Sequence, residues 1–229
     1  MEKDYWIKFW NEDEIINCDN LQNQIGRTIK KTPISEDNWQ FTLSFIAENL
    51  ELRKEDDLLD LCAGNGLISI PFSKICNSVT SVDISNVLIE KINSKGCPNI
   101  KTIIADARDL DFEQNSFSKI IIYFAIQHFS EQETILLFEK LNRWLRPGGI
   151  LLIGDVPDIS KLWDFFNDKV RQKAYIDSIK FNKPIIGTWF TKEFLSNLAF
   201  YSGFKECFHI SQPEQLINHT HRFDIIMKN

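Results

Sequence analysis

Between residues 57 and 154 the chain alternates short apolar runs with amphipathic segments, and this alternation restricts its fold more than any other feature. The predicted strands are 58–61, 79–83, 100–105, 119–124 and 150–154. The predicted helices between them are 67–75, 87–93 and 131–145, the last ended by Pro147, Gly148 and Gly149. Strands that are apolar throughout are buried on both faces, as in parallel sheets covered by helices. We therefore predict an α/β fold with a doubly wound, mostly parallel sheet.

The flanking segments complete this prediction. Residues 161–181 and a segment from a capping Thr191 to Tyr201 read as helices, with Gly203 as the stop of the second. Residues 204–210 and 223–227 read as strands with no helix between them, which indicates an antiparallel hairpin at one edge of a seven-stranded sheet. Residues 1–50 are helical and aromatic-rich; we expect them to form an N-terminal helical lid in the same domain as a core at 51–229.

Composition excludes several classes of protein. The 229 residues are 43% hydrophobic and 12% aromatic, enough for a packed core, so disorder is excluded. The net charge of −6 argues against a surface that neutralises phosphates, and therefore against nucleic-acid partners. The charged start has no secretory pattern, and no long apolar stretch predicts a membrane span. Five cysteines without a CxxC pair predict neither a metal site nor a disulfide framework, and favour the cytoplasm.

The first strand leads into Asp60-Leu61-Cys62-Ala63-Gly64-Asn65-Gly66, a turn whose glycines let a ligand approach the main chain. The next two strands end at Asp83 and Asp106. The carboxylate of Asp83 can accept hydrogen bonds from the ribose hydroxyls of an adenine nucleoside. The carboxylate of Asp106 can accept a hydrogen bond from the adenine amino group. Three carboxylates at one edge of the sheet repel a pyrophosphate and attract a cation. S-adenosylmethionine, a sulfonium nucleoside, meets these requirements.

Residues 55–155 resemble the class I S-adenosylmethionine-dependent methyltransferases. The turn is similar to their D/E-x-G-x-G-x-G motif, with Cys62 where the family often has glycine. Residues 145–150 resemble the family's turn before strand five, and 222–226 its antiparallel seventh strand. The predicted cofactor-binding residues are Asp60, Cys62, Ala63, Gly64, Gly66, Asp83, Ile84, Asp106, Ala107 and Tyr123.

The expected lid supplies further candidates. Arg27 is predicted to pair with the carboxylate of the cofactor and Gln24 to hydrogen-bond the same tail, although a surface arginine is an open alternative. Tyr5, Trp6 and Trp10 either line an acceptor pocket or pack in the core. Trp189 and Phe190 could form another wall of this acceptor pocket.

Two other activities share this kind of fold. Residues 64–69 superficially resemble a dinucleotide fingerprint, and Tyr201 and Lys205 have the spacing of short-chain dehydrogenases. Gly203 interrupts that pair, which must lie on one continuous helix, so a nicotinamide-dependent oxidoreductase is disfavoured. A non-catalytic subunit that keeps the fold for binding is the remaining alternative.

The end of the fourth strand bears on the methyl acceptor. Residues 123–129 contain neither Asn/Asp-Pro-Pro-Tyr/Phe nor Pro-Cys, which disfavours nucleic-acid substrates. A small molecule methylated at O or N remains: a sugar, an amine or an aromatic metabolite. His128 is the candidate base and Asp155 the candidate group that holds the acceptor, although packing and turn formation are their alternatives. His219 and His221 alone make a poor metal site. We expect a monomer or homodimer.

Overall fold

The computed structural model describes residues 3–12, 20–29, 31–181 and 187–229. Its strands are β1 Thr28–Ile29, β2 Thr32–Pro33, β3 Asp57–Leu61, β4 Ser78–Asp83, β5 Ile100–Ile104, β6 Phe117–Tyr123, β7 Leu145–Pro157, β8 Glu206–Ser211 and β9 Arg222–Lys228. Its α-helices are α1 Lys3–Phe9, α2 Leu21–Gln24, α3 Glu36–Asn49, α4 Ser69–Ser73, α5 Asn86–Asn93, α6 Glu131–Trp144, α7 Leu162–Phe165, α8 Lys169–Lys180 and α9 Lys192–Tyr201. Short 3₁₀ turns cover Ile126–His128 and Ile159–Lys161.

Seven of the strands form one sheet in the order β5-β4-β3-β6-β7-β9-β8. Strands β3 to β7 are parallel, whereas β9 runs antiparallel to both β7 and β8. The predicted doubly wound sheet, with its antiparallel hairpin at one edge, is confirmed. Because β3 to β6 are parallel neighbours, their carboxyl ends meet at one edge of the sheet, which is where ligands bind in such folds.

Apolar clusters cover both faces of the sheet, because the central strands carry apolar side chains at nearly every position. Leu59, Ile120 and Ile122 belong to a cluster that also contains Trp144 of α6. Leu58 and Ile121 point the other way, into a cluster with the helix residue Ile46. This two-sided burial is what a parallel sheet requires.

The prediction of one continuous helix over residues 161–181 was wrong, because the structure has two helices there. The structure has a single turn of helix at α7 and a separate helix, α8. The side chain of Asp168 accepts hydrogen bonds from the backbone nitrogens of Val170 and Arg171. This cap starts a new helix, and buried Phe166 lies at the break.

The Pro147-Gly148-Gly149 segment also differs from its predicted role as a turn before the strand. Helix α6 ends at Trp144, but β7 begins at once with Leu145 opposite Phe117. The next matched pair is Lys119 with Ile150, so the residues between them form a bulge inside β7.

Candidate functional site

Two adjoining cavities open at the carboxyl ends of the central strands. Cavity A, about 630 Å³, is lined by Trp10, Ile25, Arg27, Trp39, Asp60, Cys62, Ala63, Gly64, Leu67, Ile68, Asp83, Leu88, Tyr123, Phe124, Ala125 and His128. Cavity B, about 500 Å³, is lined by Trp6, Trp10, Cys62, Val82, Asp83, Ile84, Ala105, Asp106, Ala107, Arg108, His128 and Phe129. The structure thus brings nearly all the predicted cofactor residues together around one divided space.

The turn after β3 reaches this space through left-handed backbone. Cys62, Gly64 and Gly66 have φ angles of 64°, 56° and 84°. The positive φ at Cys62 explains why glycine suits that position. Gly66 lines neither cavity; a Cβ there would lie 2.8 Å from Cγ1 of Ile92, so this glycine lets α5 pack against the turn.

Asp83, at the end of β4, holds the turn in place. One carboxylate oxygen accepts a hydrogen bond from the backbone nitrogen of Gly64 at 2.8 Å, and the other accepts from that of Ser85 at 2.9 Å. Burial raises the pKa of Asp83, an effect that these backbone donors oppose. The carboxylate lines both cavities, so it can meet a ligand that spans them.

Asp60 lies at the floor of cavity A in a buried polar chain. The hydroxyl of Ser69 donates to Asp60 at 2.5 Å, and Ser81 donates to Ser69 at 2.7 Å. Burial raises the pKa of Asp60 to about 7, and the negative charge of nearby Asp83 adds to the rise. A cation in cavity A would therefore shift Asp60 toward its ionised form.

Asp106 and Ala107, the predicted adenine-binding pair, line cavity B together with Ile84. The side chain of Arg108 holds both carboxylate oxygens of Asp106 at 2.6–3.0 Å. Sequence reasoning missed Arg108; its only signal is a guanidinium two residues beyond a strand-end acid.

Arg27 and Asp155 were assigned separate roles from the sequence, but they form one buried ion pair at 2.5 Å. Their side chains are 3% and 1% exposed. The Arg27 guanidinium carbon also lies 5.0 Å from the ring centre of Tyr123 and 4.9 Å from that of Phe124. Arg27 lines cavity A, whereas Asp155 lines neither cavity. Asp155, which was predicted to hold an acceptor, therefore lies behind the wall of cavity A and forms an ion pair with Arg27.

Other groups complete this buried network. Asn218 donates to Asp155 at 2.9 Å, and Asp224 accepts from the Asp155 backbone nitrogen at 2.8 Å. Burial opposes ionisation of Asp155, but Arg27 and Arg222 outweigh it and hold its pKa below the ordinary value. Asp224 has no such excess of cations, so burial raises its pKa to about 7.

His128 lines both cavities and also packs against aromatic rings. Its ring centre is 4.1 Å from that of Trp6 and 6.1 Å from that of Trp10. Burial lowers the pKa of His128 to about 4, and the charge of Arg222 adds to the shift. The imidazole is therefore neutral near pH 7.

Several candidates lie elsewhere. Gln24 accepts from Asn65 at 2.8 Å and lines neither cavity. Trp189 packs against Phe166, and Phe190 lies in the main core, so neither forms the predicted acceptor wall. Within the described ranges no group of three or more His, Cys, Asp or Glu is arranged for a metal, and no helix is long and apolar enough to cross a membrane.

Several hydrogen bonds within the described residues tie the N-terminal fifty residues to the site. Asn65 of the turn donates to the carbonyl of Leu21 at 2.8 Å as well as to Gln24. Ser85, at the start of α5, donates to the carbonyl of Trp10 at 2.9 Å. The glycine turn after β3 is thus tied to α2, and the start of α5 is tied to the residue after α1.

The charges of the two cavities fit a cationic guest. Arg27 and Arg108, the two arginines in the linings, are both paired with carboxylates. Among the described residues no lysine or arginine forms an ion pair with Asp60 or Asp83. Two carboxylates without cationic partners attract a positively charged ligand and repel phosphates.

Comparison with known proteins agrees with this geometry. Residues 58–149 match a protein family described as a methyltransferase domain. A demethylmenaquinone methyltransferase of Staphylococcus aureus strain MRSA252 is 28% identical over 184 residues, 76% of this chain and 73% of that protein. The same enzyme of strain JH9 is 28% identical over 152 residues, 64% of this chain and 59% of that protein. These matches support membership of the class I S-adenosylmethionine-dependent methyltransferases.

Solved structures share the fold of this methyltransferase. A SAM-dependent methyltransferase of Methanosarcina mazei has a TM-score of 0.62 at 20% identity, covering 80% of this chain and 94% of that one. Phosphoethanolamine N-methyltransferase 2 of Haemonchus contortus, in complex with S-adenosyl-L-methionine, has a TM-score of 0.63 at 16% identity, covering 83% and 52%. Together with the matching methyltransferase domain, these structures support S-adenosylmethionine as the cofactor.

The pKa of Asp60 predicts how cofactor affinity of the methyltransferase depends on pH. Because that pKa is about 7 in the free protein, a cationic ligand must first displace a proton at lower pH. We expect S-adenosylmethionine to bind more tightly as pH rises from 6 to 8, by up to about tenfold per unit below the pKa. Calorimetry should show a shallower rise for S-adenosylhomocysteine, whose sulfur is neutral, and for the Asp60→Asn variant. An affinity for S-adenosylmethionine that is flat over this range would contradict the assignment of Asp60.

Proposed function

We propose that this methyltransferase acts at an oxygen or nitrogen atom of a small molecule, and that the acceptor is an aromatic metabolite. The observation that carries the proposal is the wall of cavity A, where four aromatic residues meet: Trp10, Trp39, Tyr123 and Phe124. Aromatic side chains favour stacked or edge-on contact with a planar ring. A sugar, with a hydroxyl group on nearly every carbon, would leave those hydroxyls against apolar surface.

An unpaired polar atom in the same wall supports an acceptor with polar substituents. Nδ1 of His128 is buried without a hydrogen-bond partner among the described residues, and the polar groups of Tyr123 and Arg27 lie against each other in the same wall. All three residues line cavity A. Since buried polar groups in native proteins are normally hydrogen-bonded, Nδ1 of His128 favours a ligand that carries oxygen or nitrogen. The relatives named demethylmenaquinone methyltransferase also support a small-molecule acceptor.

The residues of the site would bind, orient and deprotonate the acceptor. S-adenosylmethionine, when bound, supplies a methyl group on positively charged sulfur. Asp60, Asp83 and Asp106 would hold the cofactor, and the rings of cavity A would align the acceptor, which is the larger share of such catalysis. His128 would take the proton from a hydroxyl acceptor, whereas an uncharged amine needs no base. The N-terminal segments, tied to Asn65 and Ser85, would close the site as a lid.

An acceptor screen tests the proposal. The protein would be incubated with S-adenosylmethionine and matched panels of phenols, aromatic amines, aliphatic amines and sugars, with S-adenosylhomocysteine formation and product mass as readouts. We expect turnover with members of the aromatic panels only. Turnover confined to sugars or aliphatic amines would reject the aromatic acceptor while leaving the methyltransferase assignment intact. The Asp83→Ala variant serves as the control for background methylation.

The His128→Gln variant separates oxygen from nitrogen acceptors. With a hydroxyl acceptor we expect kcat to fall about 100-fold, the lower end for a general base because its pKa lies far from neutrality. With an amine acceptor the change should stay within threefold. Since the pKa of His128 is about 4, the imidazole is already neutral at pH 5, and the rate should not fall between pH 7 and 5 because of its protonation. Measured at saturating S-adenosylmethionine, which removes the effect of Asp60 on cofactor affinity, a fall centred near 6.5 that persists in His128→Gln would show that another group is the base.

A further inference from the structure

Arg108 connects the adenine side of the site to the helix that follows β6. Its Nε and Nη2 hold the carboxylate of Asp106, and its Nη1 donates to Glu133 at 2.8 Å. The Arg108 and Asp106 side chains are each only 11% exposed, and both residues line cavity B. An arginine and a carboxylate in this two-point geometry have a fixed mutual orientation.

The far end of Arg108 is itself anchored. Glu133 accepts hydrogen bonds from the backbone nitrogen and the hydroxyl of Ser130, in the capping box that begins α6. The ammonium of Lys140, farther along α6, donates to the backbone carbonyl of Arg108 at 2.7 Å. Both the side chain and the main chain of Arg108 are therefore fixed to one rigid helix.

This arrangement determines what Asp106 can offer to a ligand. A carboxylate in an ion pair with a guanidinium is an acceptor only, whereas a protonated carboxyl could also donate. The amino group of adenine donates; the carbonyl oxygen at the same position of hypoxanthine accepts. A fixed acceptor therefore discriminates between the two bases.

We propose that Arg108 is a positioning residue that fixes Asp106 as a hydrogen-bond acceptor and so makes the methyltransferase select adenine over hypoxanthine in its cofactor. Arg108 acts through Asp106 and needs no contact of its own with the nucleoside. The selectivity is independent of the acceptor, because cavity B lies on the adenine side of the site.

Calorimetry with two ligands tests this role without any turnover. S-adenosylhomocysteine and S-inosylhomocysteine, in which the adenine amino group is replaced by oxygen, would be titrated into the unmodified protein and the Arg108→Met variant. We expect the unmodified protein to prefer the adenine ligand by at least about tenfold, the equivalent of one hydrogen bond. In Arg108→Met the preference should fall to less than about threefold.

Two further variants keep the test decisive. Arg146→Met removes an arginine that binds Asp57 at the opposite end of the sheet, and it should keep the full preference. Glu133→Gln loosens the anchor of Arg108 without touching cavity B; it should weaken the preference even where Arg108→Met does not fold. A merely structural role would lower the melting temperature and weaken both ligands equally, so an unchanged preference in folded Arg108→Met would overturn the proposal. Absence of S-adenosylhomocysteine binding by the unmodified protein would overturn it together with the cofactor assignment.

Discussion

Replacing Asp155 by asparagine is expected to lower the free energy of unfolding by about 3–5 kcal/mol. The substitution keeps the shape of the side chain but leaves the charge of Arg27 buried and without its partner. Breaking a buried ion pair on one side is costly because the remaining charge has lost its solvent as well as its counter-ion. Urea denaturation measures the effect: the midpoint urea concentration should fall, while the dependence of the unfolding free energy on urea concentration stays the same.

An exposed pair on α8 provides the matched control. Lys173 and Asp177 form an ion pair in which the lysine side chain is 75% exposed, so Asp177→Asn should change stability by less than about 1 kcal/mol. If Asp155→Asn cost no more than this control, the buried pair would not be anchoring the N-terminal segment to β7. The double replacement of Arg27 and Asp155 by apolar residues should recover part of the loss, because no uncompensated charge remains.

The second large effect is expected at Asp83. The Asp83→Ala variant loses the acceptor for the backbone nitrogens of Gly64 and Ser85 and the predicted acceptor for the ribose hydroxyls. Since a hydrogen bond to a charged group contributes about 1.5–3 kcal/mol, we expect the Kd for S-adenosylhomocysteine to rise by at least about 100-fold. Calorimetry measures it directly.

Asp57 is the matched control for this experiment. It lies at the start of β3, where it binds Arg146 and Ser78 at the opposite end of the sheet from the cavities. The Asp57→Ala variant should keep the affinity within about twofold. An Asp83→Ala protein that folds and binds within threefold of the unmodified one would show that the ribose end of the cofactor lies elsewhere.

The local sequence pattern was sufficient to predict the sheet and the glycine turn after β3. The apolar runs identify β3 to β7, and the polar loop between two strands identifies the hairpin of β8 and β9. The positions of the acids at strand ends could be predicted because the carboxyl ends of parallel strands meet at one edge of the sheet. Asp60, Asp83 and Asp106 therefore fall around the two cavities as expected.

The ion pair and hydrogen bonds behind the wall of cavity A could not be predicted from local sequence. Arg27 and Asp155 are 128 residues apart, and no period or spacing connects them. Asn218, which also binds Asp155, lies in a loop without periodicity. The break between α7 and α8 depends on a single cap at Asp168 in an otherwise helical stretch. Pairings of this kind are decided by tertiary packing, which local sequence does not encode.

The left-handed backbone at Cys62 has a consequence for the shape of the active centre. A residue with a side chain costs roughly 1–2 kcal/mol in that conformation, which a glycine would not. Cys62 lines both cavity A and cavity B, so its side chain takes up space where the two cavities adjoin. A glycine at residue 62 would remove this side chain and leave a wider opening between cavity A and cavity B.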